Sequence, residues 1–245
     1  MLGNITPASK LLDRGCTRNS VLQGHTNEAF VMRGRNYAAL MMTALICARL
    51  DAAPMGFKNS WMIMGDLSKP YYDLSANYAT TINDAYGFSL SQTQYNRSRS
   101  TSSTAEVIYV RKVMRWNMPE AQANVWFSGG VGATKDSKLD ETTATASLGV
   151  QLDYETTRFY SMVATRTSFA GGMASTNSTA RLGVSFYEVD YDQAQPWIVI
   201  EARRIEIESK QYEFTPLIRV IHNRYFIEAG ANLSGHLRFN FMLNY

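Results

Sequence analysis

The feature that most constrains the fold is a two-residue alternation of apolar and polar side chains along most of the chain. In "ATASLGVQLDY", positions 146, 148, 150, 152 and 154 are apolar or aromatic, and the positions between them are small or polar. Alternation of this period indicates β-strands with two different faces. The last ten residues, "HLRFNFMLNY", alternate in the same way up to Tyr245. An all-β chain is therefore expected.

Marking each alternating run predicts twelve strands, and the number is ten if the two short first runs are not strands. Most runs reach about ten residues, the length that a tilted strand needs to cross a bilayer and about twice that of an ordinary globular strand. The expected fold is an antiparallel up-and-down transmembrane β-barrel. The predicted strands lie at 60–66, 73–81, 84–94, 104–116, 121–133, 143–154, 157–169, 179–191, 197–207, 211–221, 224–232 and 236–245.

A soluble β-sandwich would also alternate, with turns every eight to twelve residues and a buried face of Val, Ile and Leu. Here the repeat is longer, and the apolar face is rich in Ala, Tyr and Phe. Aromatic residues also gather at one end of the predicted strands, on the face expected to meet lipid, which is typical of a membrane-interface girdle. These residues are Tyr78, Tyr86, Trp116, Tyr154, Phe159, Tyr225 and Tyr245.

The connections between predicted strands fall into two groups. Polar segments such as "YNRSRSTSS", "TKDSKLDET" and "AGGMASTNS" alternate along the chain with tight turns such as "TIN", "NMPE", "ET" and "HN". Barrels of the bacterial outer membrane have long external loops and short periplasmic turns. We therefore expect an outer-membrane location with both termini in the periplasm.

The N-terminal part of the chain has a different character. Residues 32–52 read as a signal peptide: Arg33 and Arg35 form a basic region, 37–47 is an apolar run, and Ala52 offers a small residue for cleavage. The apolar run is too short to span a membrane. A short buried helix is the alternative. Residues 1–31 are then an extension from an upstream start codon, and 53–245 is the barrel.

Cleavage after Ala52 would change the composition of the remaining chain. Both cysteines, Cys16 and Cys47, would be removed, which suits a protein exported to an oxidising compartment. Six basic and three acidic residues would leave with them, so that the remaining formal charge is zero. Without an excess of positive charge, the sequence gives no reason to expect a nucleic-acid partner.

The last strand resembles that of Gram-negative outer-membrane β-barrel proteins. In that group the barrel-assembly machinery reads a terminal strand of alternating apolar residues as an insertion signal. The resemblance implies this role for Phe239, Phe241, Leu243 and Tyr245, with the assembly machinery and outer-membrane lipid as partners. The stretches "RWNMPEAQANVWFSGG", "FYEVDYD" and "HNRYFIEAGANLSG" are also similar to an uncharacterised exported family. That resemblance implies, at most, a gene neighbourhood shared with copper or heavy-metal efflux components.

The side chains that could carry chemistry are few. After residue 52 only His222 and His236 remain as histidines. A lipid-acting hydrolase needs a His and Ser pair on the lipid-facing side, whereas His222 is expected in a tight turn and His236 is expected to face inward with only Ser234 and Asn232 nearby. We expect no enzyme, no catalytic residues and no cofactor. Met62, Met64 and Met242 are weak candidates for a soft-metal site, and methionine packing in an irregular lumen is the preferred explanation.

The predicted lumen site is a cluster of Arg219, Glu228 and Arg238. A turn at His222 and Asn223 would place Leu217 opposite Glu228 and Arg219 diagonally from it. A three-residue loop with left-handed Gly235 would pair Glu228 with Asn240 and bring Arg238 diagonal to Glu228 from the other side. Gly230 would leave room beside the cluster.

Such a cluster would brace the barrel wall or form an anion-selective constriction. The predicted function is a narrow channel or envelope component of unknown solute with a link to metal homeostasis. The alternatives are a plugged barrel with a structural or binding role, and a lipid-acting enzyme.

Overall fold

The structure, a computed structural model, describes residues 55–95, 100–137, 141–190, 192–207 and 210–245. The predicted extension, 1–31, and the predicted signal peptide, 32–52, lie outside the described residues and stay predictions. The barrel region predicted for 53–245 is described from Met55 onward. Among the described residues there is no helix that is long and apolar enough to cross a membrane.

Strands make up most of the described chain, and the predicted strand order is confirmed. The strands are β1 (Trp61–Ser68), β2 (Tyr71–Ala79), β3 (Asp84–Tyr95), β4 (Ser100–Asn117), β5 (Ala121–Asp136), β6 (Thr142–Thr156), β7 (Phe159–Ala170), β8 (Met173–Ser185), β9 (Gln195–Glu206), β10 (Lys210–His222), β11 (Tyr225–Ala231) and β12 (Leu237–Asn244).

The twelve strands form one closed antiparallel barrel. Each strand pairs with its neighbours in sequence, and β1 closes the ring by pairing with β12, so that Met64 lies opposite Met242. Closure leaves no strand edge with unpaired backbone groups, which is the condition for a sheet to lie in hydrocarbon. The predicted all-β up-and-down barrel is therefore confirmed.

The two faces of the wall differ as the alternation predicts. Leu148, Val150 and Phe239, expected to face lipid, are 54, 46 and 39% exposed on the outer wall. Phe127 shares that wall as the partner of Val150. Large apolar side chains are exposed on every strand in this way. A contiguous apolar surface of that extent is not stable in water but suits a bilayer.

An aromatic girdle surrounds the end of the barrel at which β1 begins and β12 finishes, called here the terminal end. Tyr86, Trp116, Tyr154, Phe159, Tyr225 and Tyr245 are exposed there. Tyr78 stacks against Trp61 with ring centroids 5.2 Å apart, and Tyr86 lies 5.1 Å from Tyr109. The predicted girdle is confirmed, and Trp61 and Tyr109 extend it.

The prediction of long loops at the opposite end, called here the distal end, is wrong. "AGGMASTNS" is not a loop, because Gly171 and Gly172 form a two-residue turn with φ values of 56° and 77°, and β8 starts at Met173 instead of residue 179. The connections within "YNRSRSTSS" and "TKDSKLDET" are also shorter than predicted, because β3 runs to Tyr95 and β4 starts at Ser100, while β5 runs to Asp136 and β6 starts at Thr142. The segment 186–194 at the terminal end, predicted in part as strand, joins β8 to β9. Loop length therefore does not orient the barrel.

The apolar side chains of the lumen gather toward the terminal end. Three clusters occur there among the described residues. One joins Met55, Ala79, Ala85, Val110 and Trp126; the second joins Tyr160, Met162, Trp197, Val199 and Leu217; and the third joins Met62, Phe226 and Met242. The middle of the lumen is instead lined by charged and amide side chains.

Candidate functional site

Arg219 and Glu228 form a buried ion pair on the inner wall, where they lie directly opposite each other on β10 and β11. The Nε and Nη2 atoms of Arg219 each lie 2.7 Å from Oε1 of Glu228, and both side chains are fully buried. Both nitrogens approach the same carboxylate oxygen, and the Nε–H donates a charge-assisted hydrogen bond, which is stronger than one between neutral groups. The structure thus brings together two of the three residues of the predicted cluster.

The register predicted between β10 and β11 is wrong, because the turn lies one residue further along the chain than predicted. The turn is centred on Asn223 and Arg224, so that Leu217 faces Gly230 instead of Glu228. Asn223 has a φ of 52°, a left-handed conformation that Asn tolerates better than most residues with a side chain. Asn223 therefore takes the first position of the turn. Gly230 makes room for the backbone of Pro216, which a Cβ would overlap, and not for an arginine.

Arg238 does not contact Glu228, contrary to the prediction. The β11–β12 register is as expected, with Glu228 opposite Asn240 and Gly235 at a φ of 79°. However, Asn240 Nδ2 donates to Oε2 of Glu228 at 2.8 Å, and Arg181 Nη1 lies 3.2 Å from the same oxygen. Because these groups occupy the second oxygen of Glu228, Arg238 turns toward other partners.

Arg238, on β12, instead contacts β1, the strand with which β12 closes the barrel, and β9. Its guanidinium lies 2.9 Å from Asp66 and donates to Ser68 Oγ at 2.9 Å, both on β1, while Nε lies 3.0 Å from Glu201 on β9. Arg203 on β9 reaches the same Asp66 at 2.5 Å and Ser68 at 3.1 Å. The seam between β1 and β12 is therefore held from inside by two arginines.

These contacts form one continuous network of charged side chains, called here the lumen network. Arg181 completes it, because Nε lies 2.7 Å from Glu201 and Nη1 lies 3.2 Å from Glu228. Four of its members, Asp66, Arg181, Glu201 and Arg203, were not predicted, although charged residues on the polar face of long alternating strands were a usable signal. The network consists of Asp66, Arg181, Glu201, Arg203, Arg219, Glu228 and Arg238.

Aromatic rings enclose Arg219 at the terminal end of the network. Its guanidinium carbon lies 4.2 Å from the ring centroid of Tyr160, 4.7 Å from that of Phe226 and 6.0 Å from that of Trp197. Cation–π attraction is strongest in desolvated sites of this kind. Arg219 thus connects the apolar terminal half of the lumen to its charged middle.

A second, smaller polar group lies on the other side of the lumen. Arg166 Nη2 lies 2.6 Å from Glu106 and donates to Ser147 at 3.0 Å. Asp73 accepts a hydrogen bond from Ser89 at 2.8 Å, and Tyr71 donates to it at 3.3 Å. Both sides of the lumen therefore carry charge.

A cavity of about 280 Å³ lies between these groups. Its polar side includes four charged residues, Asp66, Asp73, Arg181 and Arg203, together with the amides Gln151, Asn177 and Asn240. Its apolar side is formed by Met64, Tyr160, Met162, Phe226 and Met242. The cavity is thus a mixed polar and apolar space inside the barrel, and we call it the lumen cavity.

The weak metal candidates lie close together but in apolar surroundings. Met62 and Met242 pack with Phe226, and Met64 lies against the same cluster. Within the described ranges, no group of three His, Cys, Asp or Glu side chains is placed to hold a metal ion. This packing agrees with methionine as a filler of irregular space.

The two histidines lie at opposite ends of the barrel, and His222 is the last residue of β10. His222 Nε2 lies 3.0 Å from Asn223 Nδ2. The backbone N–H of His236 donates to Asn232 Oδ1 at 2.9 Å, within the loop that joins β11 to β12. The His222 side chain thus contacts its neighbour in the chain, and the contact of His236 is made by its backbone.

The residues of the predicted assembly signal lie along the outer wall. Phe239 and Phe241 have ring centroids 6.0 Å apart, and Phe241 packs over Gly65 of β1. Leu243 follows on the same face of β12, and Tyr245 is exposed beyond it. This face is accessible to a partner, and its recognition by the assembly machinery stays a prediction.

A closed antiparallel barrel with an apolar outer wall, an aromatic girdle and a charged lumen is an outer-membrane β-barrel. The class that the terminal strand resembles is therefore confirmed. The resemblance to an uncharacterised exported family stays a prediction, since no family model and no curated protein matches the chain.

Solved structures similar to the chain include porin structures. "KdgM porin in complex with disordered oligogalacturonate" is 13% identical with a TM-score of 0.43, and "KdgM porin" is 14% identical with a TM-score of 0.41. Each match covers 76% of this chain and 98% of the porin chain. "CdiB from Acinetobacter baumannii" is 10% identical with a TM-score of 0.32, covering 76% of this chain and 59% of that protein. Identities and TM-scores this low carry no argument about a solute.

Proposed function

We propose that this barrel is a narrow channel for small polar solutes across the outer membrane. The observation that carries the proposal is the lumen cavity, about 280 Å³ of space lined by charged and amide side chains inside a closed barrel. The interior of an outer-membrane barrel is polar whether it conducts or is plugged. The free space beside these polar groups is therefore what supports a path for solutes.

The width of the path follows from the strand number and the packing. Eight strands enclose an interior that side chains fill, and sixteen enclose an open aqueous channel. This barrel has twelve strands, and aromatic and methionine side chains occupy its terminal half. A path through this lumen is therefore narrow, and its tightest part lies at the apolar clusters.

The experiment that tests the proposal is ion conductance of the purified barrel in planar bilayers. We expect discrete current steps of small amplitude. Asp73 lines the lumen cavity and accepts hydrogen bonds from the hydroxyl groups of Ser89 and Tyr71. Asp73→Asn should therefore shift selectivity toward anions, whereas Asp84→Asn beside the turn at the terminal end should not. The absence of current steps would refute the proposal that the barrel is a channel.

A plugged barrel with a structural role is the second candidate. It is favoured by the burial of the lumen network, in which Glu201, Arg219 and Glu228 are at most 1% exposed. A barrel closed in this way would give neither current nor solute flux in vesicles, and yet it would resist unfolding. The same bilayer recordings therefore separate the two candidates.

The remaining functional expectations are part of the same proposal. We expect both termini to lie in the periplasm and outer-membrane lipid to surround the apolar belt. A tag placed after Tyr245 should then be protected from protease in intact cells and cleaved after the outer membrane is permeabilised. Neither the comparisons nor the lumen contacts support a link to metal homeostasis, and transport of a metal ion is not included in the proposal.

A further inference from the structure

We infer that the lumen cavity is a binding site for one small neutral polyol, a solute of the size and chemistry of a monosaccharide. The inference rests on the proposed channel and names the class of solute that it would hold. Three properties of the cavity carry the inference: its volume, the charge balance of its polar side, and two amide oxygens without hydrogen-bond partners.

The volume limits the solute to a single small molecule. At about 280 Å³ the cavity lies just below the range of about 300 to 1,000 Å³ that ligand pockets cover. It corresponds to about nine water molecules at about 30 Å³ each. One sugar ring or one open-chain hexitol fits this space, whereas an extended chain of sugars or a peptide does not.

The charge balance favours a solute without net charge. Each of the two cavity arginines already has carboxylate partners: Arg181 lies 2.7 Å from Glu201, and Arg203 lies 2.5 Å from Asp66. An anionic solute would have to compete with these ion pairs for the same guanidinium groups. Displacing a buried carboxylate from its arginine is costly. A neutral solute can instead bond to the cavity without breaking any of them.

Two amide side chains supply hydrogen-bond acceptors that no donor among the described residues satisfies. Asn240 is 5% exposed, and Asn177 lines the same cavity. The Oδ1 atoms of both side chains are buried without a hydrogen-bond partner among the described residues. Buried acceptors in proteins are nearly always satisfied. A molecule that presents several hydroxyl donors would satisfy both oxygens, and the carboxylate of Asp73 is a further acceptor nearby.

The apolar side of the cavity complements the other face of such a solute. Met162 and Phe226 lie on the side toward the apolar clusters of the terminal half. A polyol carries C–H groups between its hydroxyls, and these can pack on thioether and aromatic side chains while the hydroxyls face the amides. A cavity lined only by polar groups would not favour a polyol over water in this way.

The test is equilibrium binding to the folded full-length barrel in detergent, measured by calorimetry with three probes. Sorbitol, gluconate and N-methylglucamine have similar hydroxylated chains and are neutral, anionic and cationic, respectively. We expect saturable binding of sorbitol and weaker binding of both ions. Preference for gluconate would overturn the inference in favour of an anion site. No saturable binding of sorbitol would mean that the cavity holds water only.

Variants locate the binding. Asn177→Leu removes one of the unpartnered acceptors at similar volume and should weaken sorbitol binding about tenfold. Asn83→Leu makes the same change in the turn between β2 and β3 and should leave binding unchanged. Thr179→Val, also in the cavity lining, provides a second variant if Asn177→Leu does not fold. Equal affinities in all variants would place the bound sorbitol elsewhere.

The proposed channel and the proposed binding site can be tested separately. Swelling of vesicles in sorbitol reports permeation, whereas calorimetry reports binding. Binding without swelling would retain the site and reject the channel. Swelling without saturable binding would retain the channel and reject the site.

Discussion

Replacing Glu228 by Gln tests the energetic role of the lumen network. Glu228 is the carboxylate that pairs with Arg219, through two contacts of 2.7 Å in a fully buried site. Gln has the same shape but no charge, so that Arg219 would remain buried with its positive charge uncompensated. Breaking a buried pair by removing one partner costs about 3 to 5 kcal/mol. We expect the free energy of unfolding to fall by that amount.

Glu201→Gln is the matched control within the same network. Glu201 is as buried as Glu228 and contacts three arginines, but each of those arginines has another carboxylate partner. No arginine loses its last carboxylate, so that the loss is limited to weakened hydrogen bonds to charged groups, about 1.5 to 3 kcal/mol. The two Glu→Gln changes should therefore differ, with Glu228→Gln the more damaging.

The double variant Arg219→Met with Glu228→Gln completes the design. It removes both charges, and Met can pack against Tyr160 and Phe226, which enclose Arg219. Replacing a buried ion pair by apolar groups is often close to neutral. The double variant should recover at least half of the stability that Glu228→Gln loses.

Urea titration of the folded barrel in lipid vesicles measures all three variants. The four tryptophans, Trp61, Trp116, Trp126 and Trp197, all lie in strands of the barrel, so that their fluorescence reports its unfolding. Equal losses in Glu228→Gln and Glu201→Gln would refute the argument from unpaired charge. A double variant less stable than Glu228→Gln would refute it as well.

Two further predictions concern the wall. Val150→Arg should lower the free energy of unfolding in vesicles by about 2 to 4 kcal/mol, because it places a charge in the lipid-facing belt. Gln151→Arg should have a mild effect, because that side chain faces the lumen beside Asp153. Equal losses in the two variants would show that the faces are misassigned. Gly230→Ala should lower stability by about 1 to 3 kcal/mol because its Cβ would overlap the Pro216 carbonyl, and an unchanged unfolding midpoint would contradict that close approach.

Local patterns in the sequence predicted the architecture because they determine which face of a strand meets lipid. The wall near Val150 and the loop with Gly235 both follow from residues that are close together in sequence. The distal part of β8 was missed because Ala174, Thr176 and Ser178 give its outer face no apolar signal. Alternation cannot be detected where both faces are small or polar.

The lumen network could be predicted only in part, for a different reason. The pairing of Arg219 with Glu228 joins adjacent strands, and a single turn nearly specifies it. The contacts of Arg203 with Asp66 and of Arg181 with Glu228 join strands that are not neighbours in the sheet. Such contacts depend on the curvature of the closed barrel, which no local pattern in the sequence encodes.

The measurement that tests the account most directly is a spin-label scan along β6, one cysteine at a time from position 146 to position 154. From residue 53 onward the chain has no cysteine, so that each label is placed at a single site. In vesicles, labels at Leu148, Val150 and Leu152 should be accessible to lipid-soluble oxygen, and labels at Ser147, Gly149 and Gln151 should not. A two-residue period in oxygen accessibility is the predicted result. Equal access of a water-soluble reagent to both faces would contradict a membrane-spanning barrel.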